Sequence, residues 1–288
     1  MRVLKLEDAV FQRPLAAALG YFDGGHLGHA ALLTRTVAEA KRHGCESAVF
    51  TFTHLPTKNG APLSTEDDRL AFFERMGIEN VILASFGELR TLSPEDFVSS
   101  VLVKRCHARL TLCGFNFRFG YKAAGDTALL SRLLPESVVL PPMLYKDSPI
   151  SSTRIREALS LGNTDEAEAM LGHPYYVSGT VTHGKAVGRA LGFPTANIVP
   201  KTLLPRYGVY KAEIVIEDRR YMGLCDVGVR PTVENTSDAR VEVFLKDFTG
   251  DLYGKTLKIS FLSFVREEKR FASLEALKEQ IARDLQAL

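Results

Sequence analysis

Residues 20–29 read GYFDGGHLGH, and this stretch decides how the first half of the chain is expected to fold. It follows an apolar run, Leu15–Phe22, that predicts a strand, and it opens a helical pattern that is expected to stop at Gly44. Glycines let a backbone approach a phosphate group closely, and a helix N-terminus offers free N–H donors with positive potential. His26 and His29 stand one helical turn apart and can point the same way. The stretch therefore predicts a phosphate-binding turn after a core strand.

Such a turn suits a triphosphate whose α-phosphorus is attacked by another phosphate. That reaction needs charge stabilisation and alignment more than a covalent nucleophile, because the attacking phosphate is already ionised at neutral pH. Histidine N–H donors suffice for this purpose. The alternative is that His26 and His29 only cap the helix, and the glycine-rich context favours the functional interpretation over it.

Outward from this turn, short apolar runs alternate with helical patterns as far as Leu171. The triplets Ser64-Thr65-Glu66 and Ser93-Pro94-Glu95 supply N-cap residues, acidic first turns and, at Pro94, a preset first-turn φ. This alternation predicts an α/β domain with a doubly wound, Rossmann-like parallel sheet. Its strands are predicted at residues 15–22, 48–52, 81–84, 109–112 and 138–140.

After Leu171 the pattern changes to runs rich in Val, Ile, Tyr and Phe, separated by turn-forming residues. These runs predict a small antiparallel β-barrel, and Ser273 is expected to cap a final helix that covers one side of it. The domain boundary is expected near Gly172, which gives domains at residues 1–172 and 173–288. The barrel strands are predicted at residues 175–182, 207–216, 221–227, 240–247 and 256–264.

The composition narrows the class of protein. The chain has 288 residues and 45% hydrophobic content, enough for two cores at roughly 100–200 residues per domain. Its 36 basic and 34 acidic residues give a formal charge of +2, without the basic excess of a dedicated nucleic-acid binder, so an anionic ligand must be held locally.

Four widely spaced cysteines are expected to be reduced, mostly buried thiols. No run suits a signal peptide or a membrane helix, and a cytoplasmic protein without membrane contact is expected.

The stretch at residues 20–29 resembles the HxGH signature of the nucleotidylyltransferase superfamily. Its fuller pattern, GxFDGxHxGH, resembles the bacterial FAD synthetase branch of that superfamily. The resemblance implies adenylylation of FMN to FAD with release of pyrophosphate, and catalytic roles for His26 and His29. It also implies nucleotide or phosphate contacts from Gly20, Phe22, Asp23, Gly24 and Gly28.

Two later blocks carry the same resemblance. Residues 112–120 (LCGFNFRFG) resemble the flavin and nucleotide loop of that branch, which implies flavin contacts from Asn116, Phe117, Arg118 and Asp126. By pattern alone, Phe117 and Phe119 alternate as core residues do. Asn116 is therefore a stronger candidate for a flavin contact than either phenylalanine. Residues 150–156 (ISSTRIR) resemble the second phosphate motif, at the start of a helix toward Leu161, although such a run is often only a helix cap. The motif implies phosphate contacts from Ser151, Ser152, Thr153, Arg154 and Arg156.

One loop departs from the branch, which usually reads like TFDPHP where residues 51–56 here read TFTHLP. The change affects how flavin or ATP is contacted at this position. No role is assigned to His54.

The second half opens with a glycine-dense segment, residues 179–197 (GTVTHGKAVGRALGFPTAN), which predicts a mobile flap. Thr195 and Asn197 offer the hard oxygen donors that Mg²⁺ prefers, although Pro-Thr-Ala-Asn also forms ordinary turns. The segment resembles the riboflavin kinase signature, which implies a six-stranded barrel, with Thr195 and Asn197 at the metal and a flavin contact from Arg266. The implied nucleotide contacts are Gly184, Lys185, Gly188, Pro194 and Thr195.

A kinase must remove a proton from the attacking hydroxyl, a task that suits a positioned carboxylate. Glu242 is the candidate, because it lies in the apolar strand at residues 241–245 and takes the opposite face from its neighbours. The alternative is an outward, solvated glutamate. Asp226 stands where the family usually has asparagine.

The resemblance covers nearly the whole chain. It implies a bifunctional enzyme that takes riboflavin, FMN and ATP, uses Mg²⁺, binds no nucleic acid, and is a monomer or weak homo-oligomer. Two alternatives stay open: a single-activity FMN adenylyltransferase with a flavin-sensing barrel, and a non-catalytic nucleic-acid-binding protein.

Overall fold

The structure is a computed structural model that describes residues 1–54, 60–134, 136–182, 195–216, 219–230, 238–246, 248, 250–269 and 271–286. Chain contacts divide it into two compact units. The first comprises Met1–Asn59 with Ser64–Ser151, and the second comprises Gly60–Leu63 with Ser152–Leu288. No helix among the described residues combines the length and apolar character needed to cross a membrane.

The first unit is built on a parallel sheet of six described strands in the order β1-β4-β3-β2-β5-β6. The central strand β2 is buried along its whole length, and its alternate residues enter two separate hydrophobic clusters, one on each face. This pattern is typical of a sheet covered by helices on both sides. The strands are β1 (Arg2–Lys5), β2 (Leu15–Leu19), β3 (Glu46–Phe52), β4 (Asn80–Ala84), β5 (Ala108–Gly114) and β6 (Val138–Leu140).

The helices of the first unit begin and end where local chemistry predicts. Gly44 ends the first helix in the left-handed conformation (φ 64°), and Thr65 forms a reciprocal capping box with Asp68. Ser93 caps a helix with Pro94 in its first turn, and the chain continues as a π-helical segment, Phe97–Arg105. The helices are α1 (Leu27–His43), α2 (Glu66–Arg75), α3 (Phe86–Leu89), α4 (Pro94–Asp96) and α5 (Thr127–Leu133). A hairpin of β7 (Leu144–Tyr145) and β8 (Ser148–Pro149) follows.

The second unit contains a closed barrel in which all neighbouring strands are antiparallel, in the order β10-β13-β12-β11-β14-β9. Its interior is filled by apolar side chains, such as Val241 and Val243, that alternate with outward residues along each strand. The strands are β9 (Tyr176–Thr182), β10 (Thr195–Ile198), β11 (Gly208–Ile216), β12 (Arg219–Arg230), β13 (Asp238–Leu245) and β14 (Thr256–Arg266).

Three helices accompany the barrel among the described residues of this unit: α6 (Ser152–Ser160), α7 (Thr164–Leu171) and α8 (Leu274–Leu285). Ser273 caps α8, as predicted, by accepting a hydrogen bond from the backbone N–H of Ala276. The helix is tied to the barrel by Asp284, whose carboxylate binds Arg266 at 2.8 Å.

The predicted fold class is confirmed, as are the buried, unpaired cysteines. Four described strands were not predicted: β1, which pairs with β4 at the edge of the sheet, the hairpin strands β7 and β8, and β10, which carries the Thr-Ala-Asn segment for which an ordinary turn was the alternative. The predicted domain boundary lies at Gly172, which ends α7 with φ 84°. It stays a prediction, since chain contacts group α6 and α7 with the barrel.

Candidate active sites

The first site lies where the strand order of the parallel sheet reverses. β2 pairs with β3 on one side and with β5 on the other, so the loops that follow β2 and β5 leave the sheet at the same edge, on either side of the switch point. Ligands of open α/β sheets bind at this position. Those two loops are the ones in which sequence reasoning placed the histidine pair and Asn116.

The two histidines lie face to face at the N-terminus of α1. The rings of His26 and His29 are stacked, with centroids 3.5 Å apart and an angle of 14° between their planes. His26 is the N-cap residue, and its Nδ1 accepts a hydrogen bond of 3.2 Å from the backbone N–H of His29. Because Nδ1 is the acceptor, the proton of a neutral His26 ring is on Nε2, which is then a hydrogen-bond donor. Capping and a donor role therefore coexist in one side chain.

Both imidazoles are uncharged at neutral pH. Burial lowers the pKa of His26 to about 4. Burial, reinforced by the nearby His26, lowers the pKa of His29 well below its ordinary range. The Nδ1 atom of His29 is inaccessible to solvent and has no hydrogen-bond partner among the described residues. The pair consequently offers neutral N–H donors rather than cations.

The glycine-rich turn is shaped around these rings. Phe22 adopts the left-handed conformation (φ 62°) and is 1% exposed, and its ring lies edge-on to His29 at 5.2 Å. A contact between Phe22 and phosphate would therefore involve its backbone. A Cβ atom on Gly28 would lie 3.2 Å from two ring atoms of His26, so glycine leaves space for that ring. The buried Asp23 carboxylate accepts hydrogen bonds from the Ser64 N–H and hydroxyl, and the Gly24 N–H donates to Ser64 Oγ at 2.9 Å.

The loop after β5 presents the predicted flavin residues in different environments. Asn116 and Arg118 are exposed, whereas the Phe117 ring stacks on buried Phe119 at 5.7 Å and packs against the core. Asp126 caps α5 through the Leu129 N–H at 2.8 Å and lies 3.8 Å from Arg118. A flavin contact from this loop stays a prediction.

The second phosphate motif begins the second unit. Ser152 is the first residue of α6 and Ser151 the last of the first unit, so the predicted helix start is confirmed. Arg156 donates to the Ser152 carbonyl at 3.4 Å, and Ile155 is buried beneath the helix. The predicted phosphate contacts of Ser151, Ser152, Thr153, Arg154 and Arg156 stay predictions.

The candidate kinase site occupies the outer face of the barrel across β10, β13 and β12. Asn197 and Asp226 each pair across strands with Glu242, which places their side chains on one face. Thr195, two residues before Asn197, shares that face, and its hydroxyl donates to Glu242 Oε1 at 2.5 Å. Glu242 Oε2 lies 3.3 Å from the Arg240 guanidinium. The predicted alternation is confirmed, and Glu242 is a partnered rather than a simply solvated carboxylate.

A second carboxylate faces Glu242. Burial raises the pKa of Asp226 to about 6, with further increases from Glu268 and Glu242 that Arg240 and Arg266 oppose. Its Oδ1 atom is buried and has no hydrogen-bond partner in the part of the chain that the structure describes. The predicted flavin residue Arg266 is held by Asp284 at 2.8 Å and donates to the Glu267 carbonyl at 3.0 Å.

Four predicted nucleotide-binding residues lie outside the described residues: Gly184, Lys185, Gly188 and Pro194. Sequence reasoning also missed Arg69, which is buried beside the first site. A usable signal was present, because Arg69 precedes the buried Phe72 and Phe73 by three and four residues and so shares the apolar face of α2.

Comparisons with known proteins agree with this division of sites. A FAD synthetase family model matches residues 8–154, and a riboflavin kinase family model matches residues 171–288. Three relatives are described as bifunctional riboflavin kinase/FMN adenylyltransferases. The one from Pseudomonas fluorescens is 37% identical, with 96% of this chain and 92% of the relative covered. The relative from Listeria monocytogenes is 32% identical, with 93% of this chain and 90% of the relative covered. The relative from Escherichia coli K12 is 34% identical, with 95% of this chain and 91% of the relative covered.

A solved structure also matches the full chain. It is a Streptococcus pneumoniae protein described as a macrolide-efflux protein, with 29% identity, a TM-score of 0.91, and 100% of this chain and 98% of that chain covered.

Proposed function

The chain belongs to the bifunctional riboflavin kinase/FMN adenylyltransferase family, and we propose that its two activities are divided between residues 173–288, which phosphorylate riboflavin, and residues 1–172, which adenylylate FMN. One observation carries this division. Each unit holds its own polar cluster suited to phosphate chemistry, with stacked imidazoles at a helix N-terminus in one and a Thr195–Glu242 hydrogen bond in the other.

In the first reaction, an oxygen of the FMN phosphate attacks the α-phosphorus of ATP, and pyrophosphate leaves. The attacking group needs no deprotonation, so the protein must orient the phosphates and stabilise the charge of the transition state. His26 Nε2–H and the backbone N–H groups at the start of α1 are suited to donate to phosphate oxygens. The low pKa of about 4 keeps His26 in its neutral donor form throughout the physiological range. The motif at residues 151–156 is proposed to bind phosphate as well.

In the second reaction, the ribityl 5′-hydroxyl of riboflavin attacks the γ-phosphorus of ATP, and ADP leaves. Glu242 accepts the hydroxyl proton. The Thr195 hydroxyl fixes one carboxylate oxygen and Arg240 lies beside the other, which restricts the orientation of the carboxylate before substrate binds. A proton acceptor held in this way loses little freedom on reaching the transition state.

Mg²⁺ is part of the proposal for the kinase site. The available donors are hard oxygens. Asn197 is 9% exposed, and its side-chain amide makes no hydrogen bond with another described residue. Thr195 Oγ1 and the Asn197 amide oxygen would hold the ion, which would neutralise phosphate charge. No cluster of three or more His, Cys, Asp or Glu side chains suited to a metal occurs among the described residues, so these neutral donors are the candidates.

A single assay tests the division of activities. Purified protein is incubated with ATP and Mg²⁺ and with either riboflavin or FMN, and the flavins are separated by chromatography over time. Glu242→Gln is expected to abolish FMN formation and to leave the conversion of FMN to FAD, whereas His29→Ala is expected to do the reverse. Loss of both activities from either variant, in protein that retains its circular dichroism spectrum, would contradict the two-site division.

We also propose that the protein is a cytoplasmic enzyme, that it is a monomer or weak homo-oligomer, and that it binds neither nucleic acid nor membrane. The same assay separates the bifunctional enzyme from a single-activity adenylyltransferase, because only the former makes FMN, with ADP, from riboflavin and ATP.

A further inference from the structure

Arg69 is a buried cation at the edge of the first site. It lies in the second turn of α2 and is 2% exposed. Its Nη1 donates to the Tyr21 carbonyl at 3.1 Å, to Thr51 Oγ1 at 3.2 Å and to the Phe52 carbonyl at 3.1 Å. Its Nη2 donates to the Thr53 carbonyl at 3.1 Å. One guanidinium thus joins the loop after β2 to the end of β3.

The Tyr21 ring completes this arrangement. The Arg69 Cζ atom lies 4.3 Å from the ring centroid, a cation–π distance, so Tyr21 holds the guanidinium through both its ring and its carbonyl. Thr51 Oγ1 also donates to the Tyr21 carbonyl, at 3.3 Å. Tyr21 immediately precedes the left-handed Phe22 whose ring packs on His29. Displacement of the Tyr21 backbone would therefore reach the imidazole pair through Phe22.

The bonding of Arg69 is unusual for a buried charge. No carboxylate in the described part of the chain forms an ion pair with it, and its Nε is buried without a hydrogen-bond partner there. Burial lowers the pKa of Arg69, and this shift is opposed only in part by the interactions with Tyr21, Glu66 and Asp23. Packing alone would be served as well by an apolar side chain. Four acceptors on two backbone segments explain why a planar, multiply donating cation occupies this position.

The same helix holds the phosphate turn at a second point. Ser64, just before the Thr65 cap of α2, donates to Asp23 and accepts from the Gly24 N–H. The capping box of Thr65 and Asp68 fixes the start of α2 independently of both contacts. The start of α2 and the residue before its cap therefore bind the turn on both sides of Phe22, through Arg69 at Tyr21 and through Ser64 at residues 23 and 24.

We propose that Arg69 is a positioning residue for adenylyl transfer, which sets the loop at residues 20–25 in its phosphate-binding geometry by bonding it to the end of β3. The proposal rests on the proposed function of the first site. It also explains why an arginine occupies this position. A neutral side chain cannot donate to all four acceptors, and the single ammonium group of lysine cannot span them.

The test compares three variants in the full chain: Arg69→Met, Arg69→Lys, and Arg75→Met as the control, since Arg75 is an exposed arginine on the same helix. Arg69→Met is expected to lower kcat/KM for FMN adenylylation on the order of 100-fold, with a raised KM for ATP, because the loop is displaced in folded protein. Arg69→Lys is expected to recover part of this loss. Riboflavin kinase activity should be unchanged in all three variants.

Hydrogen exchange supplies a readout that does not depend on activity. Arg69→Met is expected to speed amide exchange at residues 20–25 and 51–53, and to leave the later turns of α1 protected. Unchanged exchange at these residues would overturn the proposal. Faster exchange throughout the first unit with an unchanged KM for ATP would also overturn it, because that result would mean that Arg69 only stabilises the unit and does not position the loop. A wild-type protein that makes no FAD would refute the proposed function, whereas the exchange pattern would still decide the role of Arg69.

Discussion

Replacing Asp226 with asparagine should stabilise the barrel in a pH-dependent manner. Asp226 pairs across strands with Glu242 on the outer face of the barrel, and a Cβ atom on Gly228 would meet the Glu268 carboxylate, so three carboxylates crowd this face. Asparagine has nearly the same shape and carries no charge. The substitution therefore removes the repulsion and the desolvation of one carboxylate while it preserves packing.

The magnitude follows from the pKa of Asp226. Burial, with Glu268 and Glu242, raises this pKa from 3.8 to about 6, and that difference corresponds to about 3 kcal/mol at pH values above 6. Partial exposure screens part of this energy, so we expect about 1–3 kcal/mol. A carboxyl group with a raised pKa in the folded state binds its proton more tightly there, so wild-type stability falls as the pH rises from about 4 through about 6. The variant lacks this loss, so its advantage should be full above pH 7 and absent below about pH 4.

Calorimetric unfolding of the full chain between pH 4 and pH 8 measures this effect. The transition of the barrel should move upward by roughly 4 °C per kcal/mol in Asp226→Asn relative to wild type at pH 8, and by much less at pH 4.5. Glu279→Gln is the matched control, since Glu279 is an exposed carboxylate on α8 (73% side-chain exposure). Equal stability of Asp226→Asn and wild type at pH 8, or a gain that does not change with pH, would refute the electrostatic reasoning.

Two further predictions follow from the packing around each site. Gly28→Ala places a methyl group against the His26 ring and is expected to lower FMN adenylylation roughly 10- to 100-fold in steady-state assays, while riboflavin kinase activity provides the internal control. Asp284→Asn leaves the largely buried Arg266 guanidinium without its carboxylate and is expected to destabilise the barrel by about 3 kcal/mol in urea unfolding. An unchanged urea midpoint would contradict this second expectation.

The parts of the fold that sequence reasoning predicted well are those governed by local chemistry. The end of α1 at Gly44 and the starts of α2 and α8 at Thr65 and Ser273 each depend on one residue whose side chain or backbone freedom suits the position. The buried strand β2 was predicted because both of its faces are apolar. In the barrel, the alternation of Glu242 with the apolar residues on either side of it was predicted for the same reason: it follows from the local sequence of one strand.

Strands β1 and β10 and the raised pKa of Asp226 escaped prediction because they depend on partners remote in sequence. β1 contains two positively charged residues in four and is a strand only because β4 offers it an edge. β10 contains a polar Thr and Asn, and it pairs with β9 and β13 in the folded barrel. Asp226 was noticed only as a departure from the family, since its raised pKa comes from burial in the folded barrel and from carboxylates 16 and 42 residues away in the sequence.

The near-neutral composition of the chain also acquires a physical explanation at the first site. Holding phosphates by clustered surface cations would require a basic excess, which a formal charge of +2 does not supply. The first unit instead combines uncharged imidazoles, helix N–H groups and the buried cation Arg69, whose guanidinium donates to backbone carbonyls and forms no ion pair with a described carboxylate. Anion binding at this site thus depends on how a few donors are positioned, and for that reason the contacts that position them are the most sensitive targets for mutation.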